Sequence, residues 1–366
     1  MRVCTSARGS ASKSRGFGWV CLLALLCGCS SIGPGSLTRD RFDYVAAISD
    51  SWKRQMLLNM VKVRYAEAPV FLDVTQVVNS YSLESEIELF GQGASSTGGG
   101  SFRTITGTGR YSDSPTISYT PLSGEKFAKS IMGPVPLTMI FVLVQGGYPV
   151  DLVMRLCVKR IGGLENSYGG WAAPPGDPRF AELLGLMRQE QAEGGPDLQL
   201  RSVEGGHEIV LALRETKDEA RVARTRRMAQ LLGLRPADRE FRVVPGTLAS
   251  GPGQIPMQTR SMLQVLIDVA SYVEVPPRDA AERRVHVPPR TAEQEGLFPA
   301  MLRVHYAAER PDDAQTHAAV RYRDGWFYID DRDVNSKAVF SFLMLMFSLT
   351  ESDVAPAAPV LTIPTR

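Results

Sequence analysis

His317-Ala-Ala-Val-Arg-Tyr-Arg-Asp-Gly-Trp-Phe-Tyr-Ile-Asp-Asp-Arg-Asp333 carries the clearest fold signal in this chain. Residues 317–323 and 325–330 are strand-like, and Asp324-Gly325 between them is a hairpin turn signal. Val334 to Leu349 follows, apolar on every side and too short to cross a bilayer, which predicts a buried helix capped by Asp333 or Asn335. A hairpin followed by a helix, instead of single strands alternating with helices, points to the α+β class.

The same grammar recurs upstream. Residues 300–308 read as a strand, Ser261 to Val273 as a helix, 240–244 as a short strand and 216–233 as a basic helix. Strand-like runs at 197–203 and 207–213 flank Gly205-Gly206, and 178–192 reads as a helix. Pro149 opens a helix that stops near Gly162-Gly163, and Leu137 to Val144 is a buried helix between prolines and glycines. Tyr81 to Leu89 alternates strictly, the mark of a strand with one wet face, whereas 71–80 fits helix and strand equally. The Gly/Ser tract Gly91–Ser101 and the Thr- and Tyr-rich stretch Phe102–Thr120 complete a long hairpin with a flexible tip. From Asp40 to Tyr65, Phe42, Val45, Trp52, Met56, Met60 and Val63 recur at helical steps, with the body's own core as the expected partner of that stripe. The expectation is an α+β protein of antiparallel hairpins packed with helices, in one large or two smaller domains. The two regions are 39–170 and 178–350, parted by the Pro174–Pro178 loop, with a Pro/Ala-rich tail at 351–366.

The beginning of the chain reads as a targeting segment. Arg2, Arg8, Lys13 and Arg15 form a basic region without acidic residues, and Trp19 to Cys27 is a nine-residue apolar run. A membrane span needs about 20 residues, so this run has signal-peptide length. Leu26-Cys27-Gly28-Cys29 resembles a lipobox, in which a thiol accepts a diacylglyceryl group before cleavage. The resemblance implies a signal peptide over 1–28, lipidation of Cys29 and a tether over 29–38; Cys27 departs mildly from the usual small aliphatic residue. Ser30 after the anchor resembles the sorting pattern for the outer membrane, which implies a protein facing the periplasm. Asp50-Ser51-Trp52-Lys53, Val63-Arg64-Tyr65-Ala66, Phe71-Leu72-Asp73-Val74 and Trp326–Arg332 resemble segments of Gram-negative lipoproteins of uncharacterised activity. That resemblance spans most of the mature chain and implies a coherent fold without a known reaction.

Of 41 basic and 39 acidic residues, the leader holds four basic ones, leaving 37 against 39. A net charge near −2 removes the main support for nucleic-acid binding. Only Cys29 and Cys157 of the five cysteines survive processing, so no disulfide framework is expected. The glycine tract lacks a dinucleotide fingerprint, because Ser96 stands where glycine is needed, and there is no Walker lysine. The four histidines are isolated, and no nucleophile elbow or serine–lysine signature is present.

Asp330, Asp331 and Asp333 are the metal-ligand candidates, since clustered carboxylates suit a hard cation. Arg332 among them favours a salt-bridged helix cap, so no metal or cofactor is expected. Arg214, Lys217, Arg221, Arg224, Arg226 and Arg227 read as a solvated helix face, with anionic lipid headgroups as the alternative. The leading functional expectation is a non-enzymatic accessory or scaffold lipoprotein, attached to a membrane and binding other envelope proteins. The alternative is a periplasmic ligand-binding module for lipid, glycan or peptide, with Trp326, Tyr328 and Trp171 as lining candidates. A metal-dependent hydrolase built on the aspartate cluster comes third.

Overall fold

The computed structural model describes residues 34–78, 81–91, 103–113, 116–122, 124–170, 175–194, 197–203, 206–212, 217–235, 238–287 and 291–351. Residues 1–52 and 53–366 are two separate units. In the first, the described residues all belong to α1 (Pro34–Arg64). This helix starts inside the expected tether, because Pro34 is pre-shaped for a first helical turn. Its apolar stripe has two fates: Phe42 and Val45 are exposed, whereas Met56, Leu57, Met60, Val61 and Tyr65 are buried.

The stretch that fitted helix and strand equally is β1 (Phe71–Val78). Side-chain amides of α1 settle its start: Asn59 and Gln55 each exchange two hydrogen bonds with the backbone of Val70 and Leu72, at 2.7–3.0 Å. The chain continues through β2 (Tyr81–Gly91), returns through β3 (Arg103–Asp113) and closes with β4 (Thr116–Leu122). β2 pairs with β3 and β1 with β4, both antiparallel. Val78 faces Thr116 and Tyr81 faces Asp113, so the two ladders keep the same register, and the β1–β4 ladder carries a bulge between Val74 and Gln76. The Gly/Ser tip expected at its end lies outside the described residues.

Three helices follow: α2 (Gly124–Met132), α3 (Leu137–Gln145) and α4 (Val150–Cys157). The helix expected to run to Gly162 stops at Cys157, where the chain turns into β5 (Val158–Ile161) and β6 (Leu164–Glu165). β-branched Val158 and Ile161 are buried, and pairing with a later strand outweighs local helix preference. Next come α5 (Pro178–Ala192), β7 (Asp197–Val203), β8 (Gly206–Ala212), α6 (Glu219–Leu231), β9 (Glu240–Pro245) and β10 (Gln254–Thr259). One six-stranded sheet, in the order β6-β5-β10-β9-β8-β7, draws strands from both sides of the Pro174–Pro178 segment. α3 packs on β7 and β8, α4 on α5, and α6 on α5.

The rest comprises α7 (Met262–Ala270), α8 (Pro277–Ala281), α9 (Ala292–Leu297), β11 (His305–Ala307), β12 (Thr316–Tyr322), β13 (Gly325–Asp330) and α10 (Val334–Glu351). β13 lies between β11 and β12, both antiparallel to it. The last hairpin turns one residue earlier than expected, at Arg323-Asp324, with Gly325 already paired to Tyr322. A Cβ at Gly325 would lie 2.8 Å from Cζ of Tyr306, so a side chain there would have to displace that ring. α10 buries Phe340, Phe342, Leu343 and Met346 completely, and Phe347 stacks on Phe71 at 4.1 Å between ring centroids. Among the described residues no helix is long and apolar enough to cross a membrane.

Candidate functional site

Alternation on β13 sorts its side chains onto two faces: Phe327 and Ile329 are buried, while Trp326, Tyr328 and Asp330 are half-buried on the other side. On that outward face Tyr328 lies between His305 and Ala319, and Trp326 between Ala307 and Arg321. The alanines are short, so they leave the two large rings standing proud between neighbouring strands. The His305 ring tilts against Tyr328 at 5.4 Å, and its Nδ1 is 3.0 Å from Oε1 of Glu274. The Arg310 guanidinium lies 5.4 Å from the centre of the Trp326 ring while paired with Asp313 at 2.6 Å. An aromatic platform edged by charged groups results, chemistry suited to contact with a partner surface or a ring-bearing ligand. Trp171, the third expected lining residue, lies outside the described residues.

The aspartates beside this platform do not converge. Asp330 accepts from Arg332 Nε and Nη2 at 3.1 and 2.8 Å, which draws its carboxyl down to about 2. Asp331 pairs with Lys337 Nζ at 2.7 Å. Asp333 caps α10, accepting from the Ser336 backbone N–H at 3.0 Å and its hydroxyl at 2.7 Å. Their candidacy as joint metal ligands is therefore corrected: each carboxylate is turned to a different cation or amide. Among the described residues no three His, Cys, Asp or Glu side chains form a possible metal site.

The three carboxyls all titrate below their ordinary value in the folded chain, Asp330 and Asp331 through hydrogen bonds from Arg332 and Lys337, Asp333 through the Ser336 N–H. A depressed folded pKa gives stability that is full above the unfolded value, near 4, and is lost as pH falls through the folded one. Removing Asp333 deletes a helix cap, so Asp333→Ala is expected to lose about 1 kcal/mol in urea unfolding at pH 7. The difference from wild type should shrink as pH falls below about 4; a difference unchanged by acidification would show that the carboxylate is not the stabilising group.

The basic helix is not the open solvated face expected. Arg221 and Arg224 of α6 both engage Glu190 of α5, at 3.1 and 2.8 Å, and Arg227 engages Glu182 at 2.6 Å. Glu190 is buried. These arginines join two helices, which leaves Lys217 and Arg226 as the exposed remainder of the described positive charge in this segment.

Two polar clusters escaped sequence reading. The guanidinium of Arg260 is 1% exposed and donates to Asp268 at 2.9 Å, to the Arg155 carbonyl at 2.9 Å and to the Ser167 carbonyl, with the Tyr168 ring 5.2 Å away. Asp268 in turn accepts from the Gly169 N–H at 2.5 Å. Burial beside this pair pushes the Cys157 thiol up to about 12, so it is an inert core residue, as its apolar neighbours suggested. The available signal was an acid at position 268 within the apolar run Val265-Leu266-Ile267-Val269, eight residues after an arginine. In the second cluster Arg323, at φ 52°, lies 4.3 Å over the Tyr65 ring, and the Tyr65 hydroxyl donates to Asp279 at 2.6 Å. That left-handed arginine is what shifts the hairpin turn, and its contacts with Tyr65 and Glu67 offset a strain of order 1–3 kcal/mol.

A cavity of about 50 Å³ lies beneath α3, lined only by apolar side chains such as Leu137, Phe141, Val144 and Met257. An apolar cavity of about 150 Å³ takes benzene, so this one is too small for such a ring. It offers no polar group to orient a ligand, and as a packing defect it costs about 1 kcal/mol.

Comparison with protein-family models, with curated proteins and with solved structures gives no match to this chain.

Proposed function

We propose that this chain is an envelope lipoprotein, held to a membrane by acyl groups on Cys29, that serves as a non-catalytic accessory protein by binding other envelope proteins. The observation that carries the proposal is Leu26-Cys27-Gly28-Cys29 at the end of a nine-residue apolar run preceded by four basic residues. Ser30 supports delivery to the outer membrane, facing the periplasm. A binding role is supported by the outward face of the C-terminal sheet, where Trp326 and Tyr328 each have an alanine on one flanking strand and charged groups edge them. Buried aromatic anchors dominate protein interfaces, and truncating one typically removes 2 kcal/mol or more of binding, about a thirtyfold loss.

In-cell crosslinking followed by mass spectrometry tests this. A discrete envelope partner is expected on the wild type, with its yield reduced at least tenfold by Trp326→Ala with Tyr328→Ala. An unchanged partner set in the double variant would exclude this face as the contact. A second reading, a module for a lipid, glycan or peptide ligand, draws on the same platform. It is favoured instead if small envelope fragments raise the melting temperature of the wild type and not of the double variant.

A further inference from the structure

We propose that the β2–β3 ribbon is a membrane-inserting hairpin, and that several copies of this chain close their ribbons into one transmembrane β-barrel. The register divides β2 and β3 into two faces of opposite chemistry. On one face Leu83 is opposite Tyr111, Ser85 opposite Gly109, Ile87 opposite Gly107 and Leu89 opposite Ile105: four successive pairs without a charge. On the other, Ser82 is opposite Ser112, Glu84 opposite Arg110, Glu86 opposite Thr108 and Glu88 opposite Thr106. Only Phe90, opposite Thr104, breaks that polar face.

The dimensions match a bilayer. Charge returns to the apolar face at Asp113 and Arg103, ten residues apart on β3. At about 3.3 Å per residue they are roughly 33 Å apart along the strand, which a 45° tilt reduces to about 23 Å. The apolar band of outer-membrane barrels is about 25 Å tall. Tyr81 and Tyr111 sit towards the Asp113 end, the level at which barrels carry aromatic girdles.

The edges name the occupant. Among the described residues β2 and β3 form a sheet of two strands, so each has one unpaired edge. A two-stranded ribbon is marginal in water, and unpaired backbone groups in hydrocarbon cost several kcal/mol each, so a spanning ribbon must join a closed barrel. Further copies of this chain supply strands of the same length, alternation and girdle level. The β1–β4 pair that precedes and follows the ribbon in the chain is tied to the body, with Phe71 buried against Phe347 and the start of β1 bonded to α1 through Asn59 and Gln55. The polar faces then line a lumen in which each copy places three glutamates against one arginine, favouring cations. From the proposed lipid anchor this inference takes only delivery to a membrane.

The test uses protein purified from membranes, with single cysteines at 83 to 89 carrying a fluorophore and reconstituted in phosphatidylcholine–phosphatidylglycerol vesicles. Odd positions are expected to be quenched by brominated lipid and even positions by aqueous iodide, alternating along the strand. A sample without an engineered cysteine sets the background. The mass of the N-terminal peptide is read on the same material, so failure of the anchor and failure of the ribbon are told apart. Ile87→Arg is expected to abolish oligomers and bilayer conductance without lowering the melting temperature of the body, whereas Glu86→Gln keeps conductance and reduces its cation preference. Iodide access at all seven positions with a monomer in vesicles would overturn the proposal. So would alternation that appears only when another envelope protein is added, which would make the ribbon a protein-docking arm.

Discussion

Asp268→Ala is expected to destabilise the protein by about 3–5 kcal/mol, because it strips the counter-charge from an arginine sealed in the interior. The carbonyls of Arg155 and Ser167 still accept from that guanidinium, but they carry no full negative charge. The loss extends past the pair, since Asp268 also holds the Gly169 N–H. Gly169 is packed closely there: a Cβ on it would lie 2.7 Å from the Cβ of Ser271. Replacing both partners, Arg260→Met with Asp268→Leu, should cost less than Asp268→Ala alone, because no unpaired charge stays buried. Urea unfolding of the three proteins decides this. If Asp268→Ala lies within about 1 kcal/mol of wild type, the surrounding carbonyls and not the carboxylate stabilise the guanidinium.

Under the proposed anchor, Cys29→Ala is expected to abolish incorporation of labelled palmitate completely and to leave residues 1–28 attached. The thiol is the acyl acceptor and acylation precedes cleavage, so a hydroxyl-free, thiol-free side chain stops both steps. A single acyl chain binds membranes only marginally, with a constant of order 10⁴ M⁻¹, whereas two or three chains hold firmly. Membrane retention itself is best compared in an Ile87→Arg background, which removes the second attachment proposed for the ribbon. A Cys29→Ala protein that is still cut after Gly28, without acylation, would identify an ordinary secretory signal and sink the anchor.

Much of the architecture could be read from residue order alone. The strict alternation of Tyr81–Leu89, the helix at 178–192 and the hairpin ahead of the last helix are local patterns, and local patterns carry their period wherever they fold. A cap at Asp333 or Asn335 was legible for the same reason, since a cap involves only the next three residues, and the structure puts it at Asp333. The wholly apolar segment 334–349 specified a buried helix without naming its neighbours.

Long-range partners were not legible. β1 is a strand because Thr116–Leu122 and two amides of α1 meet it, not because of its own composition. Val158–Ile161 leaves the helix for β5 because β10, almost 100 residues later, offers a ladder. The last turn slips by one residue because Tyr65, distant in sequence, holds Arg323 in a left-handed conformation. The aspartates looked like one cluster, yet the turn into α10 aims each at a different partner.

The sequence by itself determined the α+β class and the periodicity of the elements, which depend on neighbours a few residues apart. Only the tertiary structure decided which charges are buried in pairs, which aromatic rings face outward together and which ribbon faces share a register. Those outcomes depend on distances between residues that the chain brings together only once it has folded.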